Sequence, residues 1–142
     1  MARLHERSKA DYRAEKTVLA AGSSPFATFK YAWAGLVWAW TKERNFRVEC
    51  MIGALAVALA LFLKVNPTAI VLATMLVLGL ELINSAVEAT VDLITPDFHP
   101  LARVAKDLAA AAVLMASFGA AVIGLITLGP ALWRLLAGYV IG

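Results

Sequence analysis

Apolar and polar positions fall in long blocks along this chain. A polar opening over residues 1–24 gives way to an aromatic-rich segment at 26–43, then to three apolar runs separated by short polar breaks. The first run predicts a membrane helix over 46–65, with Glu49 the one charge between Arg47 and Lys64; counted from Phe46 it meets the roughly 20 residues that a bilayer crossing requires. Lys64-Val65-Asn66-Pro67-Thr68 reads as a tight turn, with Pro67 placed to begin the next helix. That second helix is expected over 68–94, where Thr95-Pro96-Asp97-Phe98-His99-Pro100 breaks it. A basic-acidic stretch from Arg103 to Asp107 follows, and the third membrane helix is expected over 108–128. It either continues past Gly129-Pro130 to Leu136 or breaks there.

The segment 26–43 has a different character. Phe26, Phe29, Tyr31, Trp33, Trp38 and Trp40 are interleaved with Lys30 and Lys42. Tryptophan and tyrosine favour the membrane–water boundary, so an amphipathic helix lying at headgroup level is expected here, with a plain packing helix as the alternative. Ser23-Ser24-Pro25 supplies its start, and 1–24 reads as a cytoplasmic polar tail preceding one membrane domain over 25–142.

Composition agrees with an all-α membrane protein. Of 142 residues, 61% are hydrophobic, against about 45–50% in an ordinary soluble domain, and the mean hydropathy is +0.76. The net charge of +3 sits mostly near the N-terminus, with no basic patch of the kind that binds nucleic acid. The single cysteine, Cys50, rules out an internal disulfide. Residues 1–16 lack the short apolar core and cleavage site of a signal peptide, so the later helices are expected to stay as anchors. Basic residues crowd the segments before the first span and between the second and third. By the positive-inside rule, the N-terminus and the 95–107 segment are therefore expected to face the cytoplasm across the inner (plasma) membrane. Arg134 opposes that assignment.

The unusual stretch is Glu81-Leu82-Ile83-Asn84-Ser85-Ala86-Val87-Glu88-Ala89-Thr90-Val91-Asp92, which follows the apolar run 69–80. Glu81, Asn84, Ser85 and Glu88 share one helical face, with Asp92 a turn further on. A charge near the bilayer centre costs roughly 2.5–3.5 kcal/mol on insertion scales, so two on one face call for a use. Phosphoryl transfer is one. Mg²⁺ takes one or two carboxylates plus substrate phosphates, and Glu43 and Glu88 could converge as that pair. Glu81 could take the proton of an acceptor hydroxyl, Asn84 could orient Glu81 or the substrate, Lys106 could neutralise phosphate charge, and Asp107 could position Lys106 or a ribose. No Gly-rich phosphate loop and no soluble-kinase motif set occurs. Spacing alone equally allows an ion or proton channel, or an assembly subunit joined through the Glu81/Asn84/Glu88 face.

The Glu81-to-Asp92 stretch resembles the signature of the prokaryotic diacylglycerol kinase family. The likeness extends upstream to Tyr31, Trp33, Gly35 and Thr41-Lys42-Glu43-Arg44-Asn45-Phe46-Arg47. Downstream it takes in His99-Pro100-Leu101-Ala102-Arg103 and Ala105-Lys106-Asp107-Leu108-Ala109-Ala110. The resemblance implies a small homotrimeric helical bundle with a surface helix and three transmembrane helices per chain, using MgATP to phosphorylate the hydroxyl of a membrane lipid. It also implies that Glu81 is the catalytic base, that Asn84 and Arg47 lie at the lipid site, and that Glu43 and Glu88 hold the metal. Tyr31, Glu43, Glu88, Asp97, His99, Lys106 and Asp107 would contact ATP. The family has a diacylglycerol branch and a similar undecaprenol branch. Glu43-Arg44-Asn45 and His99-Pro100-Leu101-Ala102 look more like the latter.

Overall fold

The computed structural model describes residues 25–95 and 97–141; the polar tail and the two serines before Pro25 lie outside the described residues. Four helices follow one another: α1 (Pro25–Lys42), α2 (Arg44–Phe62), α3 (Thr68–Ile94) and α4 (Pro100–Ile141). No strand occurs among the described residues. Three of these helices, α2, α3 and α4, are long and apolar enough to cross a membrane. The chain is an all-α integral membrane protein. It divides into two compact units between Trp38 and Ala39, inside α1.

In the N-terminal unit, every described side chain from Phe26 to Trp38 is exposed, and the Phe29 and Trp33 rings stack one turn apart at 6.5 Å. In the larger unit, Glu43 is the single non-helical residue between α1 and α2, extended at φ −94° and ψ 112°. The Arg47 guanidinium closes the end of α1, donating from Nη1 to the carbonyls of Trp40 at 2.9 Å and Thr41 at 3.2 Å. Carbonyls in the last turn of a helix lack intrahelical partners and carry negative partial charge, which a cation satisfies.

The α2–α3 turn is built by two complementary caps. Val65 N–H bonds to Ala60 O at 2.9 Å and Lys64 N–H to Leu61 O at 3.1 Å, the paired bonds of a Schellman ending. Lys64 takes the left-handed position at φ 57° that glycine usually fills. Asn66 Oδ1 then accepts from Thr68 N–H at 2.9 Å and from the Thr68 hydroxyl at 2.7 Å. Pro67 is already helical at φ −82° and ψ −4°, as a residue in the first turn should be.

Two findings change the expected end of the chain. The third membrane helix begins at Pro100, not 108, so the charges from Arg103 to Asp107 are helical. Pro100 starts this helix instead of ending one: His99 Nδ1 accepts the Leu101 N–H at 3.2 Å, and Arg103 N–H bonds to His99 O at 3.1 Å. At the far end α4 runs through Gly129-Pro130 to Ile141. Its 42 residues make a rod of about 63 Å at 1.5 Å per residue, roughly twice the hydrocarbon thickness. Pro130 removes one backbone bond, a loss that membrane helices tolerate where neighbours pack. Here Leu128 and Leu132, on either side of it, pack with Ala60 and Ile70.

Helices α3 and α4 are antiparallel. Asp92 meets Lys106 at one end, and Ile70 clusters with Leu128 at the other. Gly53 brings α2 against α3 so closely that a Cβ there would stand 2.3 Å from Thr74 Cγ2. The start of α2, the end of α3 and the start of α4 therefore share one end of the bundle, and almost all its charges collect there. Among the described residues of this unit, Lys64 and Arg134 are the charges at the other end.

Candidate active site at the polar end of the bundle

Glu81 is the centre of the site. It sits halfway along α3, 4% exposed, with Ser85 one turn on also buried at 8%. A carboxylate so enclosed needs hydrogen-bond donors or an opposite charge nearby. The side-chain amide of Asn45, near the start of α2, donates to it. Glu43 and Glu88 approach it as like-charged neighbours, one from the α1–α2 junction and one from two turns along α3. Glu49 on α2 is a further acidic neighbour of Glu81. Four carboxylates from two helices and a junction are thus electrostatic neighbours, and a cation or a positively charged group among them would relieve their repulsion.

Asn84 does not turn to Glu81. Its Nδ2 donates to Glu88 Oε1 at 3.0 Å, one turn along the same helix, and its Oδ1 is buried without a hydrogen-bond partner among the described residues. It therefore orients Glu88 and leaves one acceptor for a donor from outside. Arg47 uses Nη1 to cap α1, as described above.

A second group lies at the α3–α4 corner around a cavity of about 310 Å³, lined by Asp92, Asp97, His99, Arg103, Lys106 and Asp107. Lys106 Nζ is 2.5 Å from Asp92 Oδ1, and Arg103 Nε is 3.7 Å from Asp107 Oδ2. So Asp107 pairs with Arg103 and leaves Lys106 to Asp92. Asp97 and His99 are exposed at the rim. Tyr31 is exposed on α1 in the N-terminal unit.

The structure therefore brings Glu43, Glu81, Asn84 and Glu88 together at one place, and Asp97, His99, Lys106 and Asp107 at another. Asn45, Glu49, Asp92 and Arg103 also belong to these groups, and the sequence alone assigns them no role: Glu49 stands out there as a lone acid in an apolar run, and the other three lie within the family-like motifs, but their partners are set by contacts within the fold. No set of three or more metal-ligating side chains closes on a point among the described residues. Glu43 and Glu88 are each a like-charged neighbour of Glu81, and Mg²⁺ is usually held by one or two carboxylates completed by substrate phosphates.

Comparison with known proteins bears on this geometry. The family model "Prokaryotic diacylglycerol kinase" matches residues 30–128, which include every residue placed in the two groups above. A diacylglycerol kinase of Synechocystis is 40% identical over 113 residues, 77% of this chain and 65% of the relative, so the match spans just under two thirds of that protein. A diacylglycerol kinase of Escherichia coli is 45% identical over 89 residues, 61% of this chain and 73% of the relative. An undecaprenol kinase of Bacillus subtilis is 34% identical over 110 residues, 75% of this chain and 89% of the relative. The chain belongs to the prokaryotic diacylglycerol kinase family.

Proposed function

We propose that this chain is an ATP-dependent lipid kinase of the inner membrane, a phosphotransferase that moves the γ-phosphate of ATP to the hydroxyl of undecaprenol or diacylglycerol. The observation that carries the reading is the buried Glu81, held by Asn45 and ringed by Glu43, Glu49 and Glu88 in a member of a lipid-kinase family. A helix-packing role would favour hydrogen-bonded neutral groups there; a cluster of acids suits metal and proton chemistry.

The mechanism follows from the positions. Glu81 takes the proton from the acceptor hydroxyl. The lipid oxygen bonds to the γ-phosphorus as the bond from that phosphorus to the bridging oxygen breaks, leaving ADP. Asn84 fixes Glu88 through its 3.0 Å bond and offers its free Oδ1 to a substrate donor. Glu43 and Glu88 would hold Mg²⁺, which when bound draws charge from the phosphates. Asp97, His99, Lys106 and Asp107, at the second cavity, would bind the nucleotide; the family resemblance alone supports the same ligand for Tyr31. Arg47 would lie near the acceptor headgroup while holding the end of α1. Family membership supports a homotrimer, and the basic flanks support a cytoplasmic position for the N-terminus and the site.

Purified protein in lipid bilayers with radiolabelled ATP and Mg²⁺ should form undecaprenyl phosphate or phosphatidic acid. Glu81→Gln should lower kcat by two to four orders of magnitude, the usual range for a general base, with nucleotide binding retained. Turnover surviving in that variant would remove Glu81 from the chemistry. Ion flux through liposomes without ATP would favour a channel instead.

A further inference from the structure

Two helix ends meet at Glu43, the one non-helical residue between α1 and α2, with φ −94° and ψ 112°. The same residue is a metal ligand in the reading above. Its carboxylate makes no capping bond to the first turn of α2, so its aim depends on its backbone. A residue has two soft dihedrals, and a turn of about 15° about one of them moves a side-chain end roughly 4 Å away by about 1 Å. Misplacement on that scale can cost about 100-fold where groups must meet a reacting centre. A hinge residue that also holds a metal therefore needs its backbone fixed from both sides.

The residues around Glu43 supply that. Ala39 before it is 1% exposed, and Phe46 after it is 5% exposed. The Glu43 N–H bonds to Ala39 O at 2.8 Å. Arg47 joins the two sides. From α2 its Nη1 reaches back past Glu43 to Trp40 O at 2.9 Å and Thr41 O at 3.2 Å. These bonds close a ring of backbone from Trp40 to Arg47 with Glu43 inside it. The charge of Arg47 fits the junction better than it fits its own helix. A helix N-terminus carries positive partial charge, so a cation there is unfavourable. Yet α2 begins with Arg44 and Arg47 and has no acid in its first turn. The last carbonyls of α1 carry the opposite partial charge, and those are what Arg47 meets.

Building on the lipid-kinase reading, we infer that Arg47 is a positioning residue for the metal pair. By tying the last turn of α1 to α2 it fixes the backbone of Glu43, and with it the place of that carboxylate relative to Glu88 on α3. Both acids are neighbours of Glu81, so the same bonds set how Glu43 faces the base. This role is separate from any contact with the acceptor headgroup, and the two are lost differently. A group that only meets the headgroup affects lipid binding. A group that sets Glu43 affects divalent-ion binding even where no acceptor lipid is present.

The test uses the full-length protein in nanodiscs without a hydroxyl lipid, with Mn²⁺ as the probe ion and a non-hydrolysable ATP analogue. Bound Mn²⁺ is counted from the loss of the free-ion paramagnetic resonance signal. Arg47→Ala should weaken Mn²⁺ binding about tenfold, the lower end of what removing a group behind a metal ligand costs. Glu43→Gln should weaken it too, and Arg47→Ala added to Glu43→Gln should cost nothing further, because Arg47 acts through Glu43. Arg47→Gln keeps one amide donor on a shorter arm and serves if the alanine variant does not assemble. Its Mn²⁺ affinity should also fall, with faster hydrogen exchange at the Glu43 amide. Unchanged Mn²⁺ affinity overturns the inference, whether or not the lipid KM rises, and so do equal losses with and without Glu43→Gln. Wild-type protein that binds no Mn²⁺ beside the nucleotide would sink the metal-pair reading itself, a result distinct from affinity that survives the loss of Arg47.

Discussion

Substituting Gly53 by alanine tests whether the α2–α3 contact sets the separation of the helices that carry Glu49 and Glu81. The new Cβ would stand 2.3 Å from Thr74 Cγ2, 3.0 Å from Thr74 Oγ1 and 3.2 Å from Thr74 Cβ. Thr74 has little room to yield: it is branched at Cβ, and its hydroxyl is bonded to Ile70 O at 2.8 Å. Relief to ordinary contact requires the helices to part by about 1 Å, and overpacking of this kind costs about 1–3 kcal/mol. Alanine also gains about 0.8–1 kcal/mol over glycine in a helix interior. The net expectation is a loss of about 0–2 kcal/mol, where propensity alone predicts a gain. The two are separated by a double-mutant cycle with Thr74→Ala, followed by reversible unfolding in detergent. Removing Cγ2 and Oγ1 leaves only the 3.2 Å contact, so the pair should show a coupling of about 1–2 kcal/mol, with the double variant more stable than the sum predicts. Since Gly53 is one turn from Glu49, Gly53→Ala should also raise the lipid KM. Additive effects, with Gly53→Ala stabilising by the full propensity term, would refute the close-contact argument.

Three smaller perturbations test the caps and the corner. Lys64→Gly removes a side chain from a left-handed residue at φ 57° and should stabilise by about 1 kcal/mol, read as a rise in Tm. His99→Ala should cost about 0.5–1 kcal/mol by leaving the Leu101 N–H uncapped, with faster hydrogen exchange confined to the first turn of α4, while His99→Asn should restore most of it. Asp92→Asn should cost less than about 1 kcal/mol, because the Lys106–Asp92 side chains are 35% and 66% exposed, and the difference should shrink as salt is raised.

How far the fold could be read from the sequence depends on how local each signal was. Helix α3 was legible at both ends because its start is written in Asn66 and Pro67 and its end in the break after Ile94, all within a few residues. The start of α4 lies eight residues before the expected one for a physical reason. Pro100 has the look of a breaker, although a proline in the first turn loses nothing, and the charges of Arg103, Lys106 and Asp107 hide the helix that carries them. Charge marks the boundary of the hydrocarbon, not the boundary of the helix. Helix α4 goes on past that boundary and carries its charges into the site. The fate of Gly129-Pro130 was undecidable from sequence, because it is settled by Leu128 and Leu132 packing on α2 and α3.

The same distinction governs the site. The spacing of Glu81, Asn84 and Glu88 gave a face, since one helix fixes its own periodicity. It could not give Asn45 as the partner of Glu81 or Asp92 as the partner of Lys106, since these depend on the register between helices. That register is set far from the chemistry, by Ala60, Ile70 and Leu128 at the opposite end and by the approach of Gly53 to Thr74. The packing end therefore has a functional consequence. A slip of one residue between α3 and α4 would turn Lys106 by 100° about its helix axis, and Asp92 would lose its partner at the second cavity without any change in the acidic residues of α3. Variants at the apolar end should thus disturb the α3–α4 corner before they disturb the face of Glu81, Asn84 and Glu88, because the carboxylates of α3 keep their own helical spacing whatever α4 does.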